Sequence, residues 1–236
     1  TWRKMRNQMQ SVVAGAVEHY WSETPRSGPV VGSVLAAADA VGIELRDDLA
    51  LLSFFVTQID DYMRRSKGDM MLRELVKLPV TLCGHGLDYI KTDNQRAKIV
   101  PPLAYDDLLD MCRQSLAIIN MNPNIDDEMH DRPYVALGCG AMPITDINPW
   151  WSRHFPELLP YSFTFSDGSL TAAVEKVLVD PVGAADLAWQ MSQVAVSRTR
   201  NFSQTVTDAL NFAVMHNYFT FNFEPPQPYY NKTVEF

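Results

Sequence analysis

Six polar residues, Asn122, Asn124, His130, Asp131, Arg132 and Asp146, fall within one short stretch, LAIINMNPNIDDEMHDRPYVALGCGAMPITD (116–146). His130-Asp131-Arg132 stands where a helix begins. Unpaired amides at such a start favour an anion, and an arginine beside them adds a bidentate contact to a phosphate. Asp146 ends an apolar run, where a carboxylate accepts hydrogen bonds from a hydroxylated ligand. A second place for close backbone approach is Gly84-His85-Gly86 after the run PVTLC, since glycine permits dihedrals that other residues avoid. Plainer roles stand beside these. Asp131 pairs with Arg132 or caps the helix, His130 is a surface histidine, Asp146 opens an ordinary turn before Asn148-Pro149, and the glycines form a simple turn.

The elements that must position these residues follow from the pattern around them. Leu116–Met121 is apolar and rich in β-branched residues, which predicts a buried strand. A polar loop follows to Asp127, then helical spacing over about Glu128 to Leu137, the stop signals Gly138 and Gly140, and a short apolar run from Ala141 to Thr145. This order is a βαβ unit, whose crossover makes the two strands parallel. The loop after the first strand and the residue ending the second then lie at the carboxyl edge of the sheet, where open α/β sheets bind ligands.

The wider chain predicts an α/β fold class. Thr1–Trp21, Val30–Val41, Asp47–Arg65 and Asp69–Lys77 read as four helices, the last two separated at Lys67-Gly68, so residues 1–78 form a helical N-terminal segment. From Pro79, short apolar strands (Pro79–Cys83, Ala97–Val100, Leu116–Met121, Ala141–Thr145, Tyr161–Phe165) alternate with helices. The alternation predicts an open parallel sheet of roughly five strands with helices on both faces. The domain runs to residue 217 and includes helices from Ser169 and from Asp180-Pro181, with a last one from Ser203 to His216. Residues 218–236 are an aromatic, Pro-rich tail.

The net charge of −8 argues against a nucleic-acid-coating surface, and no apolar run approaches the roughly 20 residues of a membrane span. Three cysteines, Cys83, Cys112 and Cys139, are odd in number and far apart, which reads as reduced thiols of a cytoplasmic protein. Asp60-Asp61 and Asp126-Asp127-Glu128 have no histidine at metal spacing and read as solvated or capping groups, so no metal is expected. Trp150-Trp151 stacks on a sugar or base, or simply packs. The first residue is Thr, not Met, which reads as a fragment or a processed chain.

From about Leu51 to Phe202 the chain resembles the C-terminal half of bacterial glycosyltransferases of the spore-maturation CgeB-like type, which have the two-domain GT-B fold. The features come in the same order: YMRR before the strand PVTLCGHGLDY, then INMNPN, HDRPYVALGCGAMPITD, YSFTF and SLTAAVEKVLVDP. The resemblance implies a Rossmann-like domain that binds a nucleoside diphosphate sugar, with no other cofactor, and transfers the sugar to an unknown acceptor (glycan, protein or small molecule). An N-terminal acceptor domain, or a partner chain in its place, would complete the cleft. Gly84, His85, Asn122, Asn124, His130, Arg132 and Asp146 are the implied substrate-binding residues, with Arg132 on the leaving diphosphate and the two asparagines on donor oxygens. The chain departs from that pattern at Val135, where an acidic residue is usual, and at Arg198-Thr199-Arg200, where His-Thr-aromatic is usual. Those departures keep a second reading open, a glycosyltransferase-like scaffold without activity. A nucleotide-sugar epimerase is a third, without an identifiable catalytic carboxylate.

Overall fold

The computed structural model describes residues 2–22, 28–90, 92–125, 128–198 and 210. The first third is helical: α1 (Trp2–Ser22), α2 (Val31–Ala40) and α3 (Leu49–Leu75). Val12, Ala16 and Tyr20 recur every four residues and form the buried stripe of α1. They meet Val34, Ala37 and Ala38 of α2 and Phe55, Ile59 and Met63 of α3 in one apolar cluster. Gly15 lets α1 and α2 approach closely, because a Cβ there would lie 3.2 Å from the Ala37 Cβ.

The break expected at Lys67-Gly68 does not occur, and α3 is one helix of 27 residues. Glycine costs about 1 kcal/mol in a helix interior, and several local contacts oppose that cost. Asp48 caps the start by accepting from Leu51 N at 3.0 Å. Arg64, Arg65 and Arg73 each pair with the aspartate four residues earlier, Asp60, Asp61 and Asp69. Asp60 and Asp61 are therefore paired groups, whereas the residue pattern alone reads them as solvated or capping. Lys67 itself is buried and anchored, as described below.

After α3 the strands are short. β1 (Thr81–Cys83) pairs in parallel with β2 (Lys98–Val100), and β3 (Ala117–Ile119) pairs in parallel with β4 (Met142–Ile144). The described residues thus form two two-stranded sheets where one sheet of about five strands was expected. No strand precedes β1 among them. Tyr161–Phe165, expected as a strand, contributes a single parallel bridge, Asp146 to Phe163. Pro156–Tyr161 is instead a 3₁₀ turn containing Pro160, which takes Tyr161 out of extended conformation.

The remaining helices are α4 (Tyr105–Arg113), α5 (Asp131–Gly138), α6 (Pro149–His154), α7 (Ser169–Val179) and α8 (Pro181–Arg198). Asn148 caps α6 by accepting from Trp151 N at 2.7 Å, with Pro149 in the first turn. Ser169 does not cap α7; its hydroxyl turns back to accept from Thr164 N at 3.0 Å. Glu74 near the end of α3 takes over, accepting from Thr171 N at 3.0 Å and Thr171 Oγ1 at 2.9 Å. A carboxylate at a helix start also opposes the helix dipole favourably. The second apolar cluster joins Leu75, Leu82, Met142 and Ile144 to Trp151, Phe155, Phe163, Val174 and Ala188. Apart from Leu210, the helix expected from Ser203 and the aromatic tail lie outside the described residues.

Gly68 tests the continuity of α3. A Cβ at this position meets nothing within 4 Å. Gly68→Ala is expected to stabilise the protein by about 0.5–1 kcal/mol, read as a raised urea midpoint. A lowered midpoint would show that this position requires glycine.

Candidate functional site

The carboxyl edge of the β3–β4 pair carries an unusual density of buried polar side chains: Asn120, Asn122, Asn124, Thr145, Asp146 and Asn148. Backbone leaving a strand has no ladder partner, and buried polar groups must find one. Here side-chain amides supply them. Asn122 N donates to Asp146 Oδ1 at 2.6 Å, and Asn122 Oδ1 accepts from His130 N at 2.9 Å. Asn148 Nδ2 donates to Glu128 O at 2.9 Å, and Asn120 Nδ2 to Thr145 Oγ1 at 3.0 Å. Asn122, His130 and Asp146 are thus brought into direct contact across the βαβ unit.

Asn124 reaches the other way, into the helices. Its Oδ1 accepts from Lys67 Nζ at 2.6 Å and Tyr20 OH at 2.9 Å, while its Nδ2 donates to Asp60 Oδ1 at 2.8 Å. Lys67 Nζ also donates to Tyr20 OH at 2.6 Å and lies 5.0 Å and 5.1 Å from the ring centres of Tyr20 and Phe165. An ammonium with 0% exposure is tolerated because oxygen acceptors and aromatic faces replace its water. Reading by residue type alone overlooks Lys67 and Tyr20. A signal was present: Phe55, Ile59, Met63 and Lys67 recur every four residues, so a lysine occupies the apolar stripe of α3.

Asp146 is 1% exposed, and its Oδ2 has no well-formed hydrogen bond. Burial pushes its carboxyl up to about 6 from the ordinary 3.8. The Asn122 amide, the Lys67 charge, its own amide and the Thr145 hydroxyl pull the other way and offset only part of that shift.

His130, Asp131 and Arg132 open α5. His130 is the cap residue, and its Nδ1 touches the Asp131 carboxylate while lying 3.4 Å from Arg132 N. One ring nitrogen serves a single partner at a time, and the carboxylate contact is much the closer. Asp131 therefore pairs with His130, not with Arg132. The Arg132 side chain is exposed and forms no ion pair with any described residue. Gly84 and His85 end β1, in the other strand pair. Gly84 N donates to Val100 O at 3.3 Å, His85 is exposed, and no described hydrogen bond joins either to the Asn122–Asp146 group.

Trp151 is buried with its Nε1 donating to Ser162 Oγ at 3.0 Å, and Trp150 stacks on His154 at 4.1 Å, so the tryptophan pair serves packing. Cys83, Cys112 and Cys139 are all free thiols, and burial raises the Cys112 thiol above its ordinary value, which makes it a poor nucleophile. Among the described residues no group of three or more His, Cys, Asp or Glu could hold a metal ion, and no helix is long and apolar enough to cross a membrane.

No family model, curated protein or solved structure matches this chain.

Asn124 holds the strand edge to α1 and α3 at once. Replacing Asn124 with Ala removes the acceptor for Lys67 and Tyr20 and the donor to Asp60 in a buried setting. The expected cost is roughly 2–4 kcal/mol of stability, measured by urea unfolding. A cost below about 0.5 kcal/mol would mean that water replaces the amide freely.

Proposed function

We propose that this chain is the donor-binding half of a glycosyltransferase that uses a nucleoside diphosphate sugar. The observation that carries the proposal is the parallel β3–α5–β4 unit with an exposed Arg132 in the first turn of α5 that forms no ion pair with any described residue. This is the geometry in which a diphosphate is held by helix-terminal amides and a guanidinium. The order of motifs HDRPYVALGCGAMPITD, YSFTF and SLTAAVEKVLVDP supports the same reading. In it, the two strand pairs and the bridge at Phe163 belong to a Rossmann-like GT-B half.

The roles then divide by exposure. Arg132 and the α5 amides stabilise the diphosphate as the glycosidic bond to the donor sugar breaks and negative charge develops on the leaving group. Asn122, Asn124 and Asp146 shape the loop from inside the protein; they do not need to touch the donor. The group that activates the acceptor comes from the acceptor-binding half.

A second reading is favoured by one specific set of contacts. The carbonyl oxygens of Asn122 and Asn124, and one Asp146 oxygen, are already occupied by protein donors. With Val135 at the position where the resemblance leads one to expect a carboxylate for the ribose, the domain would then serve as a scaffold without donor binding.

Calorimetry with a panel of nucleoside diphosphates and their sugars separates the two. The donor-site reading expects binding that Arg132→Ala weakens roughly ten- to a hundredfold, with the melting temperature unchanged because the side chain is solvated. Undiminished binding in Arg132→Ala would remove Arg132 from the site. No binding by the parent protein would favour the scaffold, and Val135→Glu is then the variant expected to restore affinity.

A further inference from the structure

Beside the buried stripe of α1 runs a second apolar stripe, Met9, Val13 and Val17, again at every fourth residue. It faces Phe54, Phe55 and Tyr62 of α3 across a groove of about 710 Å³. Phe55 is buried and forms the floor, with the Phe54 ring edge-on to it at 5.9 Å. The walls are open: Val13, Phe54 and Tyr62 are 41%, 53% and 55% exposed. Large apolar side chains gathered in one groove mark an interaction face, whereas single exposed ones do not.

The two ends of this groove carry opposite charges. Arg6 and Glu18 stand at the ends of the α1 wall, with Gln10 and Ala14 between them on the same helix face. Twelve residues of helix put the two charges about 18 Å apart. Both side chains are exposed, and no ion pair within the described residues holds either. On α3, Asp60 and Asp61 are already paired with Arg64 and Arg65. Arg6 and Glu18 are therefore the charges of the groove that await a partner.

Such a pattern complements itself. A second copy laid antiparallel, about a two-fold axis beside Val13, sets Arg6 of each copy against Glu18 of the other. A parallel copy sets like charges together. Antiparallel helices also place opposite dipole ends side by side. The same patch then serves both subunits, as a closed two-fold dimer requires, and aromatic residues such as Phe54 and Tyr62 are enriched at such contacts.

We infer that the α1–α3 groove is a homodimer interface, across which a second copy of this chain lays its own α1 antiparallel and pairs Arg6 with Glu18 twice. None of these residues belongs to the β3–α5–β4 edge, so the interface stands whether or not that edge binds a donor.

Sedimentation velocity of the full chain from about 1 μM to about 1 mM reads the association. The parent should pass from monomer to dimer within that range. Arg6→Glu and Glu18→Arg each turn both ion pairs into like-charge contacts and should weaken association roughly tenfold or more. An equal mixture of the two variants should dimerise again, because the acidic ends of one then meet the basic ends of the other. Val13→Asp sets two negative charges face to face at the axis and should leave a monomer. Arg6 and Glu18 are exposed, so the melting temperatures of the two reversals should stay near the parent's. If either does not fold, hydroxyl-radical footprinting of the parent decides: Phe54 and Tyr62 should lose reactivity from dilute to concentrated protein, while the exposed Trp189 of α8 should not. A parent that stays monomeric at about 1 mM, association indifferent to both reversals, a mixture that remains monomeric, or an unchanged footprint at Phe54 and Tyr62 overturns the inference. Uptake of laurate by a parent that does not self-associate overturns it too, and assigns the groove to an apolar acid.

Discussion

A buried ammonium has to replace its hydration with protein oxygens, and the places where it can do so are few. Lys67 does this with Tyr20 OH and Asn124 Oδ1, each at 2.6 Å, under two aromatic rings. Three distant parts of the chain are thereby fixed to one another: the end of α1, the middle of α3 and the loop leaving β3. The cost of leaving such a charge unpaired is several kcal/mol, so these segments hold together or come apart as a unit.

The strand edge beyond Asn124 is organised by the same economy of polar groups. The strands are three residues long, so most backbone groups near the edge have no ladder partner. Asn122 and Asn148 substitute for one, linking the loop to the backbone of His130 and Glu128, while Asn120 joins Thr145 side chain to side chain. An asparagine suits this role because it donates and accepts at once. The consequence for the structure is that the amides build the loop, while Asp131 and Arg132 at the start of α5 stay exposed.

Helix ends show the limits of local reasoning. Asp48 and Asn148 cap α3 and α6 from the adjacent sequence, as their types suggest. The start of α7 has Gly168 and Ser169 at hand, yet its amide is taken by Glu74, 97 residues away. His130, which looks like a free surface group, is the cap of α5, and Asp131 turns to it in preference to Arg132.

Much of the architecture was legible in residue order. The helices α1 and α2 begin and end, and α7 and α8 begin, close to where periodicity and breakers put them, and the parallel β3–α5–β4 unit follows from the strand–loop–helix–glycine–strand pattern. These are local signals, read within a turn or a strand. Residue order also put Asn122, His130 and Asp146 at one edge, because a parallel crossover leaves both strand ends on the same side. It did not assign their partners, the burial of Lys67 in a stripe that is otherwise apolar, or the pairing of strands into two sheets. Those depend on which distant atoms meet, and a hydrogen bond across 57 residues, such as Lys67 to Asn124, leaves no periodic trace in the chain. Packing decided them, because desolvation of a charge or an amide is settled only by the complete set of neighbours around it.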